Sequence, residues 1–132
     1  VIEKAMQSLD NLNAIKLMVN TFYTNVRNDA MLGPIFEKVI QDRWQEHLEK
    51  MYRFWQTILL NEHSYFGSPF PPHAKLPIDA KHFERWLSIF NGNIDKNFSG
   101  PKADEAKWRA ERMAAMFTHK LEFLKRHPEN LS

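Results

Sequence analysis

At 132 residues the chain is long enough for one well-filled domain over 1–132 and too short for two. Cysteine is absent, which excludes disulfide scaffolds, Cys-ligated zinc, iron–sulfur clusters and thiol catalysis. A net charge of +2, from 18 basic and 16 acidic residues with the signs interspersed, leaves no Lys/Arg run to follow a nucleic-acid backbone. No apolar stretch approaches the roughly 18 residues that span a bilayer. These features predict a cytoplasmic monomer that engages neither nucleic acid nor membrane. The opening residues read as polar and helical rather than as a signal peptide.

Residues 11–29 carry Leu12, Ile15, Val19, Phe22, Tyr23 and Val26 at helical spacing, opened by Asp10 or Asn11. A short helix follows over 32–40, with Pro34 suited to its first turn. Asp42 and Gln45 read as a capping box. They open a long helix through Trp44, Leu48, Met51, Trp55, Ile58 and Leu59 that ends around Glu62. Asp79 caps another, carrying Phe83, Trp86, Leu87, Phe90 and Ile94. The last runs from about Ala103 to Arg126, with Ala106, Ala110, Met113, Phe117, Leu121 and Leu124 on one face and Pro128 beyond its end. No period-2 segment and no internal repeat occurs. The class is all-α: four long helices and a short one.

The segment from His63 to Ile78 breaks this pattern. It holds Pro69, Pro71, Pro72 and Pro77, four of the seven prolines. Loops of this length are usually functional or disordered. Tyr65, Phe66, Phe70, Leu76 and Ile78 make it too apolar for a solvated linker. The prolines stiffen it and would hold His73 in place.

Six histidines are present, with no His-Glu-x-x-His pattern and no pair spaced four apart. The paired Glu-x-x-His motifs of a di-iron bundle and a Gly-rich phosphate loop are also missing. His47 shares a helix face with Met51, Phe54 and Ile58. Ordinarily such a histidine is a satisfied core residue, and Tyr23 and Trp86 at their stripe positions are ordinarily packing. Their polar tips still need partners when buried. Three amphipathic donors, a loop histidine and a small helical domain fit a pocket for a flat apolar ligand that carries a metal. A haem, whose iron takes an axial histidine, meets that description.

The ordered motifs carry a resemblance. Phe22-Tyr23-x-x-Val26-Arg27 is followed by Leu32-Gly33-Pro34-Ile35-Phe36, Trp44-Gln45-Glu46-His47 and Phe54-Trp55. His73-x-x-Leu76-Pro77 and His82-Phe83-Glu84-Arg85-Trp86-Leu87 complete the set. Over residues from about 12 to 118 the chain resembles the truncated haemoglobins, and Tyr23 with His47 and Trp86 is most similar to their group III. The absence of a Gly-Gly pair agrees, since groups I and II typically carry one.

The resemblance implies a two-over-two helical sandwich around a b-type haem (iron protoporphyrin IX), with the proximal helix replaced by the proline-rich loop. It makes His73 the iron ligand and Phe36 an aromatic wedge on the haem face. Tyr23, His47 and Trp86 become the distal groups that stabilise a ligand. Met51, Phe54, Phe83, Phe90 and Met113 wall the pocket, by spacing as much as by resemblance, and Lys50 and Lys75 are propionate partners. His82, in the first turn of its helix, is placed near the haem edge or has no role. His63, His119 and His127 are surface residues. The implied function is binding of O2, CO and NO, as in oxygen transport, with NO dioxygenation supported by an unidentified reductase. A peroxidase-like enzyme using His47 as acid/base is the alternative.

Overall fold

A computed structural model describes residues 6–74 and 76–127. Its elements are α1 (Leu12–Arg27), α2 (Gly33–Ile40), α3 (Trp44–Leu60), a 3-10 turn (Pro71–His73), α4 (Ala80–Asn97) and α5 (Pro101–Arg126). The all-α expectation holds for the described residues, with one isolated bridge between Gln7 and Phe98. The helices form two packed pairs: α1 lies against α2, α3 and α4, while α5 lies along α4 and touches α3. Among the described residues no helix is long and apolar enough to cross a membrane.

Local chemistry explains most boundaries. The Asn11 side chain accepts from Ala14 N–H and opens α1. Pro34 sits in the first turn of α2, where a missing N–H leaves nothing unsatisfied. Asp79 caps α4 as expected, and His82 completes a reciprocal capping box by accepting from the Asp79 N–H at 3.1 Å. α5 starts at Pro101, two residues before the expected Ala103, because Gly100 adopts φ 101° and turns the chain into the helix.

Two expectations are corrected. Asp42 and Gln45 form no capping box: Arg43 N–H bonds to the Ile40 carbonyl, which closes a turn that carries Asp42 outside the helix. Arg43 then stands at the cap position, and the Gln45 amide goes instead to Glu49. The start of the chain is not helical over the described residues 6–11. There Gln7 bonds to Asn97 and Ser99, and Leu9 is fully buried, so this segment spends its backbone polarity on the α4–α5 corner. Pro128 lies outside the described residues.

The apolar core divides in two. The larger cluster joins α1, α3 and α4 around Ile15, Met18, Phe22, Tyr23, Trp55 and Phe90. A smaller one gathers Ile78, Phe83, Ala114, Phe117 and Leu121 beneath the proline-rich loop. Trp86 and Met113 pack against both. The smaller cluster is the satellite core expected beneath a long loop, and it seats the segment that carries His73.

Candidate functional site

The larger cluster presents the first group of side chains. Tyr23, on α1, is 8% exposed, and its ring meets Phe36 of α2 and Trp44 and His47 of α3 edge-on, at centroid distances of 5.9, 5.9 and 5.0 Å. Phe22 links this group to α4, meeting Tyr23 at 4.9 Å and Trp86 at 5.6 Å. Trp86 is itself stacked on Phe90 at 5.5 Å, and Phe90 on Trp55 at 5.1 Å. Phe90 is therefore the packing support of Trp86. Among the described residues neither the Tyr23 hydroxyl nor the Trp86 indole N–H has a hydrogen-bond partner.

His47 carries the sharpest anomaly. Its Nε2 is buried with no hydrogen-bond partner among the described residues, an uncommon state for an interior polar atom. Burial pushes its proton affinity down to about pKa 4, helped by the positive charge of Lys50 and by His73. The imidazole is neutral near pH 7. Burial likewise pushes the Tyr23 phenol above the ordinary tyrosine range, so it stays a protonated donor.

The smaller cluster presents the second group. His73 sits at the end of the 3-10 turn, with its Nδ1 2.7 Å from the Pro69 carbonyl oxygen. Since a carbonyl only accepts, Nδ1 carries the proton and Nε2 is left with its lone pair. The His73 ring lies 5.0 Å from that of Phe117, which also meets Phe70 at 5.3 Å and Phe83 at 6.2 Å. Burial lowers its proton affinity, opposed by the bonds to Pro69 and Phe70.

The loop that carries His73 is anchored along its length. Ser64 and Tyr65 N–H groups donate to Thr57 Oγ1 at 3.0 and 2.9 Å, and Lys125 Nζ donates to the Ile78 carbonyl at 3.1 Å. Tyr65 packs edge-on against Phe54 of α3 at 5.4 Å. The expected burial of the loop's apolar residues holds for Ile78 and partly for Tyr65, Phe70 and Leu76. Phe66 departs from it: the residue is 82% exposed, and its ring meets that of His63, itself exposed, at 4.8 Å.

The remaining sequence-derived positions divide between the groups. Phe36, Met51 and Phe54 belong to the larger cluster, Phe83 to the smaller, and Met113 touches both. Lys50 is solvent-exposed, with Glu46 at 4.0 Å. Lys75 lies outside the described residues. His82 serves the α4 cap, and His63, His119 and His127 are exposed. The sequence alone placed Trp44 on a helix stripe and in the motif before His47, and Phe117 among several core residues, with no site role for either. Trp44 stands three residues before His47 and Phe117 four after Met113, and that helical spacing was the available signal.

His47 beside the larger cluster and His73 beside the smaller one, each with Nε2 free of a partner among the described residues, together with the unpartnered Tyr23 and Trp86 donors, suit a flat, apolar, metal-bearing guest. Comparison with known proteins decides the family. The model of the bacterial-like globins matches residues 8–121. The chain belongs to the bacterial-like globin family. It is 33% identical over 115 residues to a group 3 truncated hemoglobin of Campylobacter jejuni, a match covering 84% of this chain and 91% of that protein. It is also similar to the crystal structure of a group III truncated hemoglobin from Campylobacter jejuni. There the TM-score is 0.81 at 31% identity, over 89% of this chain and 95% of the other.

Membership makes this an all-α truncated globin with a haem-based role, as the motifs implied. The residues present fit a haem. Among the described residues no three His, Asp or Glu side chains come together to cage a metal ion. The Nε2 of His73, left with its lone pair by the bond from Nδ1 to Pro69, is the type of donor that a haem iron takes from a protein.

Proposed function

We propose that this globin binds O2, CO and NO at a b-type haem, with His73 as the protein ligand to iron. The observation that carries the reading is the His73 ring, with Nδ1 tied to the Pro69 carbonyl at 2.7 Å and Nε2 left as a donor. When bound, the haem would supply the iron at which a diatomic ligand is taken up. In the neutral ring the Pro69 carbonyl holds the proton at Nδ1, which leaves Nε2 with its lone pair, and burial favours that neutral form. The loop anchors at Thr57, Phe117 and Lys125 fix the ring without a helix beneath it.

On the other side, the Tyr23 hydroxyl and the Trp86 indole N–H donate to a ligand that takes up negative charge. Each contributes about 1–2 kcal/mol in a dry pocket, roughly five- to thirty-fold in affinity. CO, nearly neutral, gains less. His47 is the gate: it is neutral, lacks an internal partner, and stands near the start of α3 beside exposed Lys50. Phe36, Met51, Phe54, Phe83 and Met113 exclude water, Phe90 supports Trp86, and Lys50 and Lys75 supply charge to propionates. NO dioxygenation at the same site would draw electrons from a separate reductase. The single globin unit, with charges of both signs interspersed over its sequence, acts as a monomer in the cytoplasm.

A second reading rests on the low proton affinity of His47. A neutral imidazole accepts a proton from peroxide, which supports peroxidase-like turnover. One series separates the two: haem-loaded protein is assayed for O2 and NO reactivity and for steady-state peroxide oxidation. Gas binding predicts a stable oxy form, rapid NO consumption and slow peroxide turnover that His47→Ala leaves unchanged. Peroxide turnover that collapses in His47→Ala would establish the enzyme instead.

A further inference from the structure

Trp44 has no ligand-facing part in the reading above, yet its indole is held by two charged residues from two other helices. The Glu37 carboxylate of α2 accepts from Arg27 Nε at 2.7 Å through Oε1 and from Trp44 Nε1–H at 3.3 Å through Oε2. The Arg27 guanidinium, at the end of α1, stands 4.3 Å from the Trp44 ring centroid, within cation–π range.

The backbone fixes this triad. Gly33 approaches the end of α1 so closely that a Cβ there would meet the Arg27 carbonyl oxygen at 2.6 Å. Glu37, one turn on from Gly33, therefore faces Arg27. Asp29 reinforces the corner, accepting from Met31 and Leu32 N–H while pairing with Arg85 of α4 at 2.6 Å. Trp44 also meets His47 at 6.0 Å and 88°, and Tyr23 at 5.9 Å and 66°.

We propose that Arg27 and Glu37 form a latch on Trp44 that keeps the His47 ring inside the pocket, which makes Glu37 a positioning residue for ligand entry. The inference rests on the reading of His47 as gate. An isolated surface ion pair does little. This one has a third member whose ring forms one wall of the His47 cage. Loss of the carboxylate removes the acceptor from the indole and the anchor from Arg27. Trp44 then moves outward and His47 gains the space it leaves.

The test uses haem-loaded protein in its CO form, with two readouts. The first is solvent exchange of the Trp44 indole N–H by NMR, which reports the latch whatever His47 does. The second is CO association after flash photolysis. Glu37→Ala should speed both by roughly three- to five-fold, the range an exposed ion-paired contact can supply. Glu37→Gln, which keeps an acceptor for the indole, should fall between and covers the case in which Glu37→Ala folds poorly. In a Trp44→Phe background, which has no indole N–H to hold, Glu37→Ala should change CO association no further.

Unchanged indole exchange in Glu37→Ala overturns the latch. A CO effect that persists undiminished in the Trp44→Phe background overturns the route through Trp44. Faster exchange with unchanged CO association, while His47→Ala alone speeds CO entry, overturns positioning and leaves the gate standing. If His47→Ala has no effect on CO entry, the gate reading itself fails, and the indole result still judges the latch.

Discussion

Replacing Tyr23 by phenylalanine removes one oxygen atom from the wall opposite His73 and leaves every ring contact in place. The ring touches Phe22, Phe36, Trp44 and His47, and none of these contacts uses the hydroxyl. Because that hydroxyl has no protein partner among the described residues, its removal relieves a desolvated polar group. Stability should stay constant or rise by up to about 1 kcal/mol. Function should move the other way. Loss of one donor in a dry pocket amounts to about 1–2 kcal/mol, so O2 dissociation should speed up roughly five- to thirty-fold, with CO dissociation nearly unchanged. Stopped-flow replacement of O2 by CO measures the rate, and thermal unfolding of the ligand-free protein measures stability. O2 dissociation within about two-fold of the parent would refute the donor argument, since a lost hydrogen bond of even 1 kcal/mol exceeds that. A large fall in stability would show instead that the hydroxyl has a structural partner.

Acid should destabilise the folded chain through His47. Its folded proton affinity is depressed to about 4 against 6.5 for the free side chain, so between those values the unfolded chain binds a proton the folded one excludes. Stability therefore falls as pH drops through that window and levels off below it. His47→Gln should flatten this part of the urea-unfolding profile, leaving the share from His73, which shifts in the same direction. An unaltered slope would mean that His47 is not shielded from protons. Phe90→Ala should cost about 3–5 kcal/mol in urea unfolding. The ring is 1% exposed and stacked on both Trp55 and Trp86, so its loss should also loosen Trp86 and speed O2 release. A cost below about 1 kcal/mol would show that the two indoles close the gap.

Helix existence was legible wherever an apolar stripe and a cap agreed, as with Asn11 for α1 and Asp79 for α4. The Asp42 box misled because the motif describes four residues in isolation, whereas the turn after α2 decides which residue enters α3 first. That the loop is ordered and holds His73 in place was legible from its composition, since its prolines and aromatics are too stiff and apolar for a solvated linker. The Pro69 partner of the His73 Nδ1 was not, because that bond depends on the loop's path. Trp44 was the main omission. Its indole looks like packing in sequence, and only the meeting of α1, α2 and α3 sets Arg27, Glu37 and Trp44 together. Contacts made across elements leave no periodic trace.

The central claim is that His73 holds the iron, and the ferrous absorption spectrum of haem-loaded His73→Gly tests it most directly, recorded with and without added imidazole. The account predicts that the variant loses haem or the histidine-ligated spectrum of the parent, and that imidazole, entering the space the ring vacated, restores it. A variant whose spectrum matches the parent without imidazole would contradict the assignment and move the ligand to another histidine, His47 first.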